Sequence, residues 1–213
     1  MIDNDSPFSG HYLDWRAKRL TKLVSIFGED YFKGKDILEL GCGEGEFGEN
    51  FINFGGDVTF CDGRQEHLVR LKNRLPNSTT HLIDQDAPWE LGRKFDFIIH
   101  TGVLYHLSNW KQDLLCTLNH APLIFLETIV PNNGADDYEQ TLKENDKKFD
   151  QALNGQSIRP SADYIEKFLS EQGARFRRYD DADLNSGVHE YDWAVGQRGN
   201  PHGYRRFWII YND

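Results

Sequence analysis

The chain has 213 residues, with 24 Lys plus Arg against 34 Asp plus Glu and a formal net charge of −10. That length suits one domain with a substantial core, and the acidic balance disfavours duplex nucleic acid, whose phosphates are held by lysine and arginine. No apolar run reaches membrane-span length, residues 1–6 lack a basic region ahead of an apolar one, and the three cysteines fit neither a disulfide framework nor a metal-ligand spacing, so the expectation is a soluble cytoplasmic protein without metal.

Tyr12, Leu13, Trp15, Leu20, Leu23, Val24 and Phe27 recur at three- and four-residue steps. This predicts an amphipathic helix over 11–27, stopped by Gly28, within an N-terminal helical cap spanning 1–34. A strand follows at 36–41, then a helix over 46–54 ended by Gly55-Gly56. A second strand at 57–61 and a helix over 64–75, closed by Pro76-Asn77, complete the pattern. Residues 79–84 read as a third strand and 84–89 as loop. The run at 95–100 is apolar enough for a strand buried on both faces. Ser108 caps a predicted helix over 109–119, in which Cys116 is core, and 122–128 is the fifth strand. Residues 131–160 turn polar and rich in Asn and Asp, with one helix predicted around 137–153. They read either as a solvated surface insertion or as a substrate-side loop. A helix over 161–172, a strand at 174–179, a long connection and a last strand at 204–211 end the chain. The alternation predicts one α/β domain over 1–213, a doubly wound, seven-stranded, mostly parallel sheet flanked by helices, with ligands at the carboxyl ends of the strands.

The segment Asp36-Ile37-Leu38-Glu39-Leu40-Gly41-Cys42-Gly43-Glu44-Gly45 is a strand entering a glycine-rich turn, and the second strand ends on Asp62 about twenty residues later. A dinucleotide fingerprint needs glycine at 46, where Glu46 stands. Glu39, Glu44 and Glu46 are poor neighbours for a pyrophosphate. They suit an adenosine ligand without phosphate that carries positive charge at a sulfonium and an amino group, namely S-adenosylmethionine. The bland alternative is a tight turn that holds no ligand.

The pattern Glu39-x-Gly41-x-Gly43-x-Gly45 resembles the first motif of the class I S-adenosylmethionine-dependent methyltransferases, and the resemblance extends over 35–212. It implies sheet order 3-2-1-4-5-7-6 with the last strand antiparallel. It also implies that Glu39, Gly41, Cys42 and Gly43 lie against the methionine moiety and ribose, and that Asp62 binds the ribose hydroxyls. Gly63 and Arg64 then fall on the adenine side. Asp86 and Ala87 meet the adenine, with Asp84 competing for the role, and Thr101 and Gly102 sit beside the reacting methyl. Asp96 is implied to be structural, paired with turn amides near the glycine loop.

Thr101-Gly102-Val103-Leu104-Tyr105-His106-Leu107 resembles the Gly-Val-Leu-Tyr-His motif of methyltransferases of small molecules and saccharides, and of enzymes that carboxymethylate a tRNA wobble uridine. Tyr105 and His106 would then meet the substrate. His106 either takes a proton from the attacking group or shapes the loop, and Tyr105 shapes or packs. There is no Asp/Asn-Pro-Pro-Tyr motif and no Pro-Cys dipeptide, which argues against nucleic-acid methylation. The stretches 189–193 and 202–208 cluster polar aromatics and basics suited to a polar ring or an acidic group. They resemble Tyr-Asp-Trp and Arg-Arg-Phe-Trp signatures of small methyltransferases associated with sugar modification. His189, Tyr191 and Arg206 are the substrate candidates there, while Phe207 and Trp208 read as core. Tyr12, Trp15 and Arg16 are candidates for a lid, with core packing as the alternative for Trp15.

The expected function is methyl transfer to a hydroxyl or amine of a small polar metabolite, sugar-derived compounds included, with His106 or His189 as base. The expected partner is a small-molecule acceptor, with no duplex nucleic acid and no membrane. Two alternatives stand beside it. Carboxymethyl transfer to tRNA would show two or more arginines converging beside the methyl site. A non-catalytic cofactor-binding module would show a collapsed acceptor side.

Overall fold

The computed structural model describes residues 11–200 and 202–212, so the cap expected over 1–34 is described only from residue 11 and the first six residues lie outside. Helix α1 (His11–Phe27) precedes β1 (Asp36–Leu40), α2 (Gly48–Asn53), β2 (Asp57–Asp62), α3 (Gln65–Arg74) and β3 (Thr79–Leu82). Next come β4 (Phe97–Thr101), α4 (Trp110–His120) and β5 (Leu123–Ile129). After β6 (Glu139–Lys143) and β7 (Gln156–Pro160), the chain ends with α5 (Ala162–Glu171), β8 (Arg175–Tyr179) and β9 (Arg205–Tyr211). The main sheet has seven strands in the order β3-β2-β1-β4-β5-β9-β8, which is the expected order once the separate β6–β7 pair is set aside. Strands β1 to β5 pair in parallel, and β9 runs antiparallel to both β5 and β8.

Strands β4 and β5 are buried along their whole length, which is why their sequences are mainly apolar without alternation, with His100, Thr101, Glu127 and Thr128 as buried polar residues toward their carboxyl ends. One face of the sheet packs Phe32, Phe51 and Phe97, with ring centroids 4.9 Å apart for Phe32–Phe51 and 5.6 Å for Phe32–Phe97. The other face holds Trp110, Phe168 and Trp208. Helix α5 starts at Ser161, whose hydroxyl accepts the Tyr164 N–H at 3.1 Å, satisfying an amide the helix leaves open.

Three expectations are corrected. The helix around 137–153 is instead an antiparallel hairpin, β6 on β7, with Leu142 opposite Ser157. Asn145, Asp146 and Asn154-Gly155 offer turn chemistry that competes with a helix. Gly155 takes a positive φ of 70°, and the Ile158 N–H donates to Leu107 O at 2.8 Å, docking the hairpin on the turn after β4. Ser108 does not cap α4. The carboxylate of Asp86 accepts the N–H groups of Ser108 and Asn109 at 2.6 and 2.8 Å. Asp96 does not pair near the glycine loop: it accepts the Asp36 N–H at 2.9 Å, at the opposite end of β1.

Candidate active site

A cleft lies across the carboxyl ends of β1, β2 and β4, with about 1090 Å³ of empty space when its open mouth is included. Its floor is the turn after β1, where Gly41, Gly43 and Gly45 have φ of 62°, 55° and 76°. A Cβ at Gly41 would stand 2.6 Å from Val103 Cβ, so this wall must be bare backbone. Asp62 closes the turn from β2. Its Oδ2 accepts the Gly43 N–H at 2.8 Å, and its Oδ1 accepts the Arg64 N–H at 2.8 Å and meets His67 Nδ1 at 3.0 Å. Glu39 is buried and accepts the Gly48 N–H at 3.1 Å. Burial, with Glu46 adding to it, pushes its carboxyl up to about 8 against the opposing pull of Gly48 N–H, Arg19 and Arg16. Burial likewise raises the Cys42 thiol well above its usual range, so it stays protonated.

The lining includes Glu39, Gly41, Cys42, Gly43, Asp62, Gly63, Arg64, Asp86, Thr101, Gly102, Tyr105 and His106. Ala87 is exposed and absent from it, while Asp84 and Gln85 are present. Tyr12, Trp15 and Arg16 line the cleft from α1, and Arg19, which sequence reasoning passed over, joins them. Trp15 is both lining and core, at 3% exposure.

On the acceptor side, a short turn at Leu104–His106 presents Tyr105 and His106. His106 Nδ1 lies 2.6 Å from Glu144 Oε2. Glu144 also accepts the Ala152 N–H at 2.7 Å and the Ser157 hydroxyl at 2.6 Å. Burial pushes its carboxyl up, but His106, Ser157 and the Ala152 N–H outweigh burial and hold it at about 2. Phe149, Asp150, Gln151 and Leu153 of the same loop line the cleft. The loop is fastened by Arg64, whose Nη2 donates to Asp146 O and Gln151 O at 3.1 Å each.

His189, Tyr191 and Arg206 are not in the lining. Instead they belong to a buried network behind it. His189 packs against Trp15 with ring centres 4.3 Å apart and planes tilted by 38°, and its Nδ1 accepts from Arg205 Nε at 3.1 Å. Tyr191 accepts from Trp15 Nε1 at 2.6 Å and donates to Glu127 at 3.2 Å; burial pushes its phenol up. Arg206 donates to the carbonyls of Tyr191 and Trp193 at 2.5 and 2.9 Å and is buried at 4% exposure. The centre of this network is Glu127 on β5, held by Arg205 at 2.8 Å and Arg19 at 3.3 Å. Burial alone would lower the Arg205 pKa, but Glu127 holds it above the usual range. An acid inside an otherwise apolar strand was the available signal, since a buried carboxylate needs a buried partner. Arg205 and Arg159 flank the Tyr105 ring with guanidinium carbons 5.1 and 5.5 Å from its centre.

A mostly parallel sheet with β9 inserted antiparallel, and a glycine-floored cleft between two acids, together define the class I methyltransferase architecture. The family described as Methyltransferase domain matches residues 12–195, so the chain belongs to it. The chain is 26% identical over 112 residues to Nodulation protein S of Azorhizobium caulinodans, covering 52% of this chain and 54% of that one. It is 24% identical over 160 residues to a malonyl-[acyl-carrier protein] O-methyltransferase 2 of Ilyobacter polytropus, covering 72% and 56%. Thus it spans little more than half the length of these two relatives. Among solved structures, the N-terminal domain of EvdMO1, crystallised with S-adenosylhomocysteine and D-fucose, superposes with a TM-score of 0.68 at 16% identity, over 92% of this chain and 82% of that one.

Proposed function

We propose that this protein is an S-adenosylmethionine-dependent methyltransferase acting on a hydroxyl or amine of a small polar metabolite, sugar-derived compounds included. The observation that carries it is the placing of two buried carboxylates, Glu39 and Asp62, on either side of a bare glycine turn in one open cleft. Such a cleft fits a ligand with ribose hydroxyls and positive charge, and Asp62 and Glu46 in its lining are poor neighbours for a pyrophosphate. Glu39 suits the ammonium of the methionine moiety. Arg19 is 4% exposed, lines the cleft, and its Nε has no hydrogen-bond partner among the described residues, which suits the carboxylate beside that ammonium. Asp62 has lone pairs left for the ribose. Ile83 and Leu107 offer apolar walls to the adenine, with Gly63, Arg64 and Asp84–Asp86 around it. Bound there, the cofactor supplies an electrophilic methyl carbon. The protein's share is to hold the acceptor in line with it and to take the acceptor's proton, for which His106 lines the cleft beside Tyr105, whereas the other lining histidine, His67, is engaged with Asp62.

The D-fucose in the EvdMO1 crystals supports a sugar-derived acceptor, while the name of the O-methyltransferase relative gives that enzyme a malonyl group on acyl carrier protein. Carboxymethyl transfer to tRNA gains support from Arg159 and Arg205 converging on Tyr105. They are 8% and 3% exposed, however, and offer no groove to a phosphate backbone. A non-catalytic module is disfavoured by Tyr105 and His106, which line the same cleft as the glycine turn. Among the described residues no helix is long and apolar enough to cross a membrane, and all three thiols are unpaired and buried, which agrees with the proposed cytoplasmic location.

The test is calorimetric binding of S-adenosylmethionine and S-adenosylhomocysteine, with NADH as control, on wild type and Asp62→Ala. Micromolar binding of both adenosyl ligands, lost in the variant, is expected and leads to an acceptor screen with labelled methyl. Binding of NADH alone, or of nothing, overturns the reading.

A further inference from the structure

We propose that Glu144, carried in on the β6–β7 hairpin, is the positioning residue that fixes His106 as the proton acceptor, so that the base is assembled only while the loop after β6 is seated on the cleft. This rests on the methyltransferase reading above and deepens it, because it joins cofactor enclosure to proton removal.

The geometry of the carboxylate is over-determined. Its Oε2 meets His106 Nδ1 at 2.6 Å and the Ala152 N–H at 2.7 Å, its Oε1 takes the Ser157 hydroxyl at 2.6 Å, and Arg159 stands 3.9 Å away. The Glu144 side chain is 5% exposed and not part of the lining, so it acts through the imidazole and does not touch the acceptor. A carboxylate at Nδ1 keeps the proton on that nitrogen and leaves the lone pair on Nε2. The imidazole lines the cleft and packs on Tyr105, ring centres 4.1 Å apart. Mere anchoring of the hairpin does not require this pair, since the Ile158 N–H to Leu107 O bond already docks β7 on the same turn.

The loop that begins at Glu144 is also tied to the opposite side of the cleft. Arg64 holds two of its carbonyls, and Asn154 donates to Asp86 at 3.3 Å. Both Arg64 and Asp86 lie on the adenine side of the proposed cofactor site. One segment therefore closes over the cofactor and delivers the acid that sets the base. In the reaction, the acceptor's lone pair forms the new bond to the methyl carbon and the electron pair of the breaking carbon–sulfur bond stays on sulfur. The acceptor's proton passes to His106 Nε2, giving an imidazolium beside the Glu144 carboxylate.

The experiment is ¹⁵N NMR of the His106 ring in the full chain, with and without S-adenosylhomocysteine, for wild type, Glu144→Leu and Glu144→Gln. In wild type Nδ1 is expected to carry the proton and Nε2 to be bare. The leucine variant should show tautomer averaging, and the glutamine variant, which keeps an acceptor oxygen, should restore the wild-type pattern. With an acceptor from the screen, kcat should fall about tenfold or more in Glu144→Leu at nearly constant KM and recover in part in Glu144→Gln. A wild-type ring protonated at Nε2 alone, or a leucine variant unchanged in both tautomer and kcat, overturns the proposal. The wild-type tautomer decides the matter even if the leucine variant does not fold. Failure of the underlying reading gives a different result: neither S-adenosylmethionine nor S-adenosylhomocysteine binds while the tautomer remains as expected, whereas full kcat in His106→Gln overturns the proposal itself.

Discussion

Glu39 is the residue whose state in the free protein conflicts most with its proposed task. Its carboxyl, pushed by burial to about 8 from 4.5, holds a proton at neutral pH, whereas an ammonium ligand wants it ionised. Binding must then release a proton. Affinity for S-adenosylmethionine should rise by up to about tenfold per pH unit as pH climbs toward 8 and level off above it. Calorimetry in buffers of different ionisation enthalpy would read the proton release, and Glu39→Gln should abolish both it and the pH slope. A pH-independent wild-type affinity would remove Glu39 from the ammonium site. The sign for folding is the reverse. Because the unfolded chain gives up this proton near 4.5 and the folded one near 8, the ligand-free protein loses stability as pH rises between the two values, and the glutamine variant does not. Gly41 makes a second demand at this scale. With φ 62° and Val103 Cβ 2.6 Å from where its own Cβ would be, Gly41→Ala should cost about 2 kcal/mol or more, measured by urea denaturation. A loss within experimental error would mean the turn shifts freely and does not set the cleft floor.

At the scale of elements, most of the parallel part of the sheet was legible because β1, β2, β4 and β5 are largely buried and so carry mainly apolar runs, and because only glycine serves in the turn after β1. The β6–β7 hairpin was not. Both strands are short, and β6 is half exposed, residues 139–143 alternating between exposed and intermediate, while the burial of β7 falls on the polar Ser157 and Arg159 as well as Pro160. What settles the pairing is docking onto Leu107, a contact a window along the chain does not contain. For the same reason Glu144 could not be read as a partner of His106, 38 residues away. The Glu127 network was hidden likewise, drawing on α1, β5, β9 and the stretch between β8 and β9. Two arginines share one carboxylate there, at 0–4% side-chain exposure. Removing the acid leaves both cations buried without an anion, so Glu127→Leu should cost about 3–5 kcal/mol and lower Tm by many degrees. A variant as stable as wild type would show that water or a neighbour already screens the arginines.

Over the whole molecule, the sheet fixes the floor of the cleft while the two segments that close it, α1 and the loop of 144–155, lie outside the main sheet. Loop 144–155 is held largely by polar contacts: two carbonyls on Arg64, one amide on Asp86 and the Glu144–His106 pair. Hydrogen bonds of this number and partial exposure are worth about 1 kcal/mol each, far less than the buried strands, so the loop should open locally without unfolding the sheet. Hydrogen exchange is then the direct measurement. In the ligand-free protein amides 145–153 should exchange much faster than those of β4 and β5, and S-adenosylhomocysteine should slow them by tenfold or more without affecting the sheet. Arg64→Ala should raise the ligand-free rates and reduce that slowing, because it cuts the fastening on the adenine side. Equal exchange in loop and sheet, or slowing by ligand confined to the glycine turn, would mean that the loop is a fixed wall and that cofactor binding and base assembly are independent events.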